Sequence, residues 1–229
     1  MTKVFLGVGH GGADSGAVGN GLKEEDLNLQ IALACRDELE RHGITVLMSR
    51  TKDEADSVNE EVKECNAFSP DLAADIHINA GGGDGAEVFH TLSGGKGKAL
   101  AENINNEIIA IGQNSRGVKT RENKSGKDYY AFIRQTKAPA VIVECAFIDN
   151  KTDIAIVDTL EEQKAFGVAI AKGILKTLNI AYAGNNPREK VIEACEFSAV
   201  TVAYLDSYKY SAELYKALWE CLREGKKRY

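Results

Sequence analysis

The sequence of 229 residues lacks an excess of basic residues, a long apolar run, an internal repeat and any low-complexity tract. Its formal net charge of -6 gives no overall basic surface, which argues against nucleic acid as the partner. No apolar run approaches the length of a membrane span, so we expect no stable membrane insertion. The 44% hydrophobic and 27% charged residues are ordinary for a globular protein with one full core and a small appendage.

The N-terminus lacks a visible export signal. The few apolar residues before Gly9 are too short a run for the core of a signal peptide, and they lead directly into a motif with functional character. We therefore expect synthesis in the cytoplasm without a signal peptide.

The cysteines form no C-x-x-C pair. There are five of them, widely spaced, at Cys35, Cys65, Cys145, Cys195 and Cys221. Most lie within apolar periodic patterns, which predicts reduced core residues rather than a disulfide framework. Cys145 follows Glu144, but strand alternation turns its side chain away and no histidine stands at a telling spacing, which argues against a cysteine nucleophile.

Alternation of apolar strands and amphipathic helices predicts an open α/β sheet. Strands are predicted at residues 4–8, 44–48, 72–78, 86–91 and 140–143. Helices are predicted at residues 25–42, 53–68, about 100–111 and 159–178. The first strand, a glycine-rich loop, a helix and the second strand form the opening unit of such a sheet.

The last fifty residues differ from the rest of the chain. Residues 1–180 form the predicted main domain, residues 181–187 resemble a linker, and residues 188–229 form a small helix-rich segment. Because some forty residues bury little surface alone, this segment is expected to pack on the main domain or on a second copy as a homodimer element.

Four polar residues of metal-binding or acid/base type lie at the ends of the predicted elements. His10 follows the first strand, Glu24 opens a helix, and His77 and Glu144 end two further strands. Imidazole and carboxylate groups suit zinc, and a catalytic zinc site uses three protein ligands and a water. His10, Glu24 and His77 are the candidate ligands, and Glu144 is the candidate proton acceptor. Each residue also has a structural alternative, and the spacing matches no compact zinc motif.

The loop around His10 also fits the dinucleotide pattern G-x-G-x-x-G from Gly7 to Gly12. That fingerprint requires a helix to begin at its last glycine and an acidic residue after the second strand. Further glycines keep this segment in a loop, and Ser49 and Arg50 stand where the acidic residue is needed. The metal interpretation explains His10, whereas the nucleotide interpretation does not.

Four ordered motifs resemble those of the zinc-dependent N-acetylmuramoyl-L-alanine amidases of the Amidase_3 type, a bacterial cell-wall family that includes phage endolysins and autolysins. They are Gly9-His-Gly-Gly-Ala-Asp-Ser-Gly-Ala17, Gly21-Leu-Lys-Glu24, Asp75-Ile-His-Ile-Asn79 and Ile142-Val-Glu-Cys-Ala-Phe147. The resemblance covers roughly residues 1–180. Members often carry Asp-Pro before Gly-His, whereas this chain has Gly7-Val8, a change that affects none of the ligands.

The resemblance implies a twisted, mostly parallel sheet flanked by helices. It implies Zn²⁺ held by His10, Glu24 and His77, with Glu144 as the catalytic carboxylate. Glu25 competes with Glu24, but Glu24 is the residue that follows Gly-Leu-Lys as in the family. Asn79 belongs to the third motif and is expected to support the site or the substrate.

The implied substrate is the peptidoglycan amide between N-acetylmuramic acid and L-alanine of the stem peptide. Two alternatives stay open: a zinc peptidase of the same fold that cuts within the stem peptide, and a non-catalytic wall-binding protein. The implied role is that of a phage endolysin released through a holin-made lesion, or of an autolysin freed by lysis. The basic stretch from Arg116 to Lys127 is either a solvated charged loop or a contact for the acidic groups of peptide stems or wall polymers. Wall targeting by residues 188–229 is a further hypothesis.

Overall fold

The computed structural model describes residues 1–183, 191, 195, 198–208 and 211–225. The chain divides into two compact units, Met1–Tyr182 and Ala183–Tyr229. Residues 184–187 of the predicted linker and most of residues 188–197 lie outside the described residues. Within the described ranges, no helix is both long enough and apolar enough to span a membrane.

A six-stranded sheet forms the centre of the larger unit. In sequence order its strands are β1 (Lys3–Val8), β4 (Thr45–Met48), β5 (Leu72–Asn79), β6 (Ala86–Phe89), β7 (Ser115–Lys119) and β8 (Ala140–Phe147). The spatial order is β4-β1-β5-β8-β6-β7. All neighbours are parallel except β6 and β8, which are antiparallel. The predicted mostly parallel sheet is confirmed.

Helices cover the two faces of this sheet unequally. They are α1 (Glu24–Arg41), α2 (Val58–Phe68), α3 (Gly95–Ala110), α4 (Ala131–Gln135), α5 (Lys151–Ile154) and α6 (Leu160–Thr177). Helices α1, α3 and α6 contribute to a large apolar core on one face. Helices α2 and α4 contribute to a smaller apolar cluster on the other face. A short hairpin, β2 (Val18–Gly19) and β3 (Leu22–Lys23), precedes α1.

The smaller unit contains two helices in its described part, α7 (Ala199–Asp206) and α8 (Ser211–Gly225). The Ser198 hydroxyl caps the start of α7 by accepting a hydrogen bond from the Thr201 amide. Val200 and Tyr204 on this helix are exposed.

Several boundaries differ from the predicted ones. Helix α2 begins at Val58 rather than near residue 53, because Ser57 caps it and the Asp53 carboxylate accepts the Gly12 amide instead. The third and last core strands continue to Asn79 and Phe147, so His77 and Glu144 lie inside strands rather than at their ends. Pairing between β5 and β8 continues past both residues, which explains the extra length.

All five cysteines are free thiols, as predicted. Cys35, Cys65 and Cys145 are buried, whereas Cys221 is exposed and is therefore not a core residue. Burial raises the pKa of the Cys145 thiol, and the side chain lies in the large core on the face opposite Glu144. Both features exclude it as a nucleophile for this site.

Candidate active site

Three predicted ligands converge at the carboxyl edge of the sheet. The Oε1 atom of Glu24 lies 3.3 Å from Nε2 of His10 and 3.1 Å from Nδ1 of His77. One potential ligand atom from each residue lies within 4.8 Å of the other two. The loop after β1, the start of α1 and strand β5 each supply one member of this trio.

Backbone amides fix the carboxylate of Glu24. Its Oε1 accepts the Ile78 amide at 3.1 Å and its Oε2 accepts the Ala17 amide at 2.9 Å. Burial alone raises the pKa of this carboxyl, but hydrogen bonds with His10 and His77 outweigh it and lower the pKa. Glu24 is therefore ionised and immobile, as a metal ligand needs to be. Glu25, its sequence competitor, instead accepts from the Lys23 ammonium at 2.9 Å.

Each histidine holds a second carboxylate on its other ring nitrogen. Nδ1 of His10 contacts Asp14 at 2.9 Å, and Nε2 of His77 contacts Asp75 at 3.1 Å. The hydrogen bond with Glu24 raises the pKa of His10. Burial lowers the pKa of His77, but Asp75 and Glu24 outweigh burial and raise it. Carboxylates in these positions orient a histidine and increase its basicity toward a metal.

The glycine-rich loop leaves room for these side chains. A Cβ atom on Gly16 would lie 2.6 Å from Cδ2 of His10 and 2.7 Å from Oε2 of Glu24, and its φ is +62°. His10 itself has a φ of +65°, a conformation that is uncommon outside glycine. The loop therefore holds its histidine in a strained backbone position, a feature typical of functional sites.

Arg50 connects the two segments that carry His10 and Glu24. Its buried guanidinium donates to the carbonyl oxygens of Val8 at 3.1 Å, Gly9 at 3.3 Å and Glu25 at 2.7 Å. Sequence reasoning used Arg50 only to exclude a nucleotide site. No residue type in the sequence signals these contacts, because all the acceptors are backbone carbonyls.

The trio fits a tetrahedral metal ion of the zinc type. Ligand distances of about 2.0 to 2.1 Å imply ligand atoms about 3.3 Å apart at the edges of a tetrahedron. The measured separations of 3.3 and 3.1 Å agree with that value. Two imidazoles and one carboxylate also leave a fourth position open, as in catalytic zinc sites.

Glu144 lies beside the trio. It pairs with His77 across the parallel strands β5 and β8, so both side chains leave the same face of the sheet. Burial raises the pKa of Glu144 to about 7. Its Oε2 atom is buried and has no hydrogen-bond partner among the described residues. A carboxyl with these properties can exchange a proton near neutral pH.

Glu87 extends this row by one strand. It pairs with Glu144 across the antiparallel strands β8 and β6, and it is buried. Arg116 contacts its Oε1 atom, and the Lys119 ammonium donates to the same atom at 2.6 Å. The Asn79 amide donates to Oε2 at 3.5 Å, so Asn79 supports Glu87 rather than the trio.

A cleft of about 300 Å³ opens beside the trio. His10 and His77 line one part of it, and Asp56, Ser57 and Glu61 line the part formed by α2 and the loop before it. Burial, followed by the charge of Asp75, raises the pKa of Glu61 well above its ordinary value. The cleft opens onto the two histidines of the trio, His10 and His77.

The sequence of the larger unit matches a known family. The family model described as N-acetylmuramoyl-L-alanine amidase (Amidase_3) matches residues 4–176. The chain belongs to this family. The predicted N-acetylmuramoyl-L-alanine amidase is thereby confirmed.

Individual relatives match more than three quarters of this chain. A sporulation-specific N-acetylmuramoyl-L-alanine amidase of Bacillus subtilis (strain 168) is 34% identical over 195 residues, which cover 83% of this chain and 74% of that protein. The endolysin of Bacillus phage SPP1 is 32% identical over 186 residues, which cover 77% and 66% respectively. The catalytic domain of CwlV, an N-acetylmuramoyl-L-alanine amidase from Bacillus (Paenibacillus) polymyxa var. colistinus, has a TM-score of 0.71 at 27% identity and covers 79% and 100%.

Sequence reasoning missed several residues that shape this amidase site. Asp75 interrupts the apolar run of β5 two residues before His77, and this polar interruption was an available signal. Glu87 and Arg116 gave no such signal, because their place beside Glu144 depends on pairing between β8, β6 and β7.

Proposed function

We propose that this chain is a zinc-dependent hydrolase that cleaves the peptidoglycan amide between N-acetylmuramic acid and L-alanine of the stem peptide. His10, Glu24 and His77 hold the zinc ion, and Glu144 transfers the proton. The observation that carries the proposal is the convergence of three ligand atoms beside Glu144, whose Oε2 atom is buried and has no hydrogen-bond partner among the described residues. Family membership supports the same bond as the substrate.

Glu144 performs both proton transfers in this scheme. Zinc, when bound, lowers the pKa of water and polarises the scissile carbonyl. The ionised carboxylate of Glu144 takes the proton from the attacking water. The resulting carboxylic acid then donates that proton to the departing alanine nitrogen. The Oε2 atom of Glu144 is buried and has no hydrogen-bond partner among the described residues, so it is available to accept and return this proton.

Lysis of a bacterial cell is the proposed biological setting. The similarity to a phage endolysin supports release through a holin-made lesion. The similarity to a sporulation-specific amidase supports an autolysin role to the same degree. In both cases the enzyme is made in the cytoplasm and acts on the cell wall after its release.

Digestion of defined peptidoglycan tests the proposed reaction. Zinc-loaded protein should create new N-terminal alanine while the glycan strands stay intact, and a chelator should abolish the release. A new terminus within the stem peptide would instead identify a zinc peptidase. Wall binding without any new terminus would identify a non-catalytic wall-binding protein.

The role of the smaller unit is a separate proposal. We propose that residues 183–229 join two copies of the chain, since Val200 and Tyr204 of α7 expose apolar surface. Sedimentation velocity should show a dimer for the full chain and a monomer for a chain truncated after Tyr182. If both proteins are monomers and only the truncated chain fails to bind purified walls, wall targeting is favoured instead.

A further inference from the structure

We propose that Arg116 and Lys119 form a subsite that binds a carboxylate of the stem peptide beside Glu144. This inference rests on the proposed function and specifies which part of the substrate the site recognises. The cations belong to the basic stretch from Arg116 to Lys127, for which the sequence suggests contact with acidic groups of peptide stems or wall polymers. Two of its members reach the row of side chains that contains the proposed catalytic group.

A β-bulge places both cations on one face. Ala86 pairs with Ser115 and Val88 pairs with Val118, so three steps along β7 match two steps along β6. Gly117 occupies the bulge with a φ of +85°. In a regular strand, residues three apart point to opposite faces, but one extra residue reverses this relation. Arg116 and Lys119 therefore both lie on the face of Glu87.

That face leads directly to the proposed catalytic carboxyl. Glu87 pairs with Glu144, and Glu144 pairs with His77. The two cations contact Glu87, which is the next member of the row after Glu144. A peptide whose amide lies at His77 and Glu144 can extend along this row toward β7.

Arg116 is held in place with part of its guanidinium open. Its Nε atom contacts Glu87, and its guanidinium carbon lies 5.3 Å from the centre of the Phe147 ring. Its two Nη groups have no hydrogen-bond partner among the described residues, and 43% of the side chain is exposed. Arginine binds carboxylates through two parallel N–H donors, so the open Nη edge is suited to such a ligand.

The local charge favours an anion. Arg116 and Lys119 together carry two positive charges, and Glu87 supplies one negative charge. Arg121 adds a third cation nearby in sequence, stacked 3.8 Å from the centre of the Tyr129 ring. The two cations outnumber the one carboxylate that both contact, and the planar fork of Arg116 suits a carboxylate ligand.

Two muropeptides that differ at one group test the subsite. The first carries D-isoglutamate, with a free α-carboxylate, at the second position of the stem, and the second carries the amidated D-isoglutamine. The zinc-loaded full chain should cleave the acid form with the higher kcat/KM. Arg116→Ala should lower kcat/KM about 10- to 100-fold on the acid form and leave the amide form nearly unchanged.

Two further variants separate binding from folding. Arg116→Lys keeps a positive charge beside Glu87 but lacks the fork, so its loss on the acid form should be intermediate. Lys124→Ala, an exposed cation of the same basic stretch, should behave as the wild type on both substrates. The midpoint of thermal unfolding should change little in each variant.

The possible failures have different meanings. Equal losses on both muropeptides, or no loss on either, would overturn the carboxylate subsite and leave the proposed reaction standing. Failure of the zinc-loaded wild type to cleave either muropeptide at the muramoyl amide would overturn the proposed function and the subsite with it.

Discussion

The two faces of the central sheet are built from the same strands but serve different ends. One face is covered by α1, α3 and α6 and contains an almost wholly apolar core. The other face has a smaller apolar cluster and, toward the edge where β5 and β8 end, a row of three carboxylates: Asp75 and Glu87 are buried, and Glu144 is partly buried. Neighbouring residues on one strand, such as Glu144 and Cys145, therefore belong to different environments.

Alternation along a strand therefore places the residues that stabilise the fold and the residues that carry the chemistry on opposite faces of the sheet. Apolar burial stabilises by roughly 25 cal/mol per Å², whereas burial of a carboxylate costs free energy unless it is paired. The free energy gained by burying the large core can offset the cost of removing the Glu144 carboxyl from water on the other face. Substitutions at adjacent positions should consequently affect either the rate or the stability.

The largest effect is expected at Glu144. Glu144→Gln should lower kcat/KM about 10²- to 10⁴-fold, because a positioned general acid and base contributes about that factor. Zinc content should be retained, since the glutamine leaves the trio intact. The neighbouring Cys145→Ala should keep the rate within about twofold, because its thiol faces the opposite core. A Glu144→Gln enzyme with near wild-type rate would remove Glu144 from the mechanism.

Substitution of Ile76 on β5 should affect the stability of the protein, in contrast to substitution of Glu144. It is fully buried in the large core between Asp75 and His77. Ile76→Ala should lower the free energy of unfolding by about 2 to 5 kcal/mol, and Ile76→Val by about 0.5 to 1.5 kcal/mol. Urea unfolding measures both values. Zinc affinity that falls while stability stays unchanged would contradict the separation of the two faces.

The free energy of unfolding should depend on pH through Glu144. Burial raises the pKa of Glu144 from 4.5 to about 7 in the folded protein without metal. The stabilising effect of this proton is complete below pH 4.5 and is lost as the pH rises through about 7. Metal-free Glu144→Gln should therefore gain about 2 to 3 kcal/mol relative to wild type between about pH 5 and 8. Parallel stability curves would exclude the raised pKa.

The smallest of these effects is expected at Asp14 and Asp75, the carboxylates that contact the second ring nitrogens of His10 and His77. Asp75 is buried, whereas 71% of the Asp14 side chain is exposed. Asp75→Asn should weaken zinc binding by about 10- to 100-fold, as expected for a carboxylate that orients a ligand histidine. Asp14→Asn should weaken it less, because solvent screens an exposed contact. Competition with a chelating dye measures both affinities, and a larger effect at Asp14 would contradict the account.

The main parts of the fold and the trio could be predicted from the sequence. Apolar runs that end in polar residues marked β1, β5 and β8, and ordered motifs indicated His10, Glu24 and His77 as partners. These signals are local, because the apolar run of each strand indicates by itself that the strand is buried. The predicted start of α2 was wrong because the Asp53 carboxylate accepts a hydrogen bond from the Gly12 amide, a contact between distant segments.

The rest of the site depends on pairing that no local pattern records. Glu87 lies beside Glu144 only because β6 inserts antiparallel to β8. Lys119 shares the face of Arg116 and Glu87 only because β7 contains a bulge at Gly117. Arg50 forms its contacts with backbone carbonyls, which every residue type offers. Register, bulges and backbone contacts are therefore the information that the structure adds.

Metal analysis of four proteins tests whether His10 and His77 are zinc ligands. After zinc loading and dialysis, the wild type should retain one zinc ion per chain, whereas His10→Ala and His77→Ala should retain none. His90→Gln is the matched control, because His90 contacts the Thr91 carbonyl rather than the trio, and it should retain zinc as the wild type does. Full zinc occupancy in both alanine variants, or none in the wild type, would contradict the assignment of this metal centre.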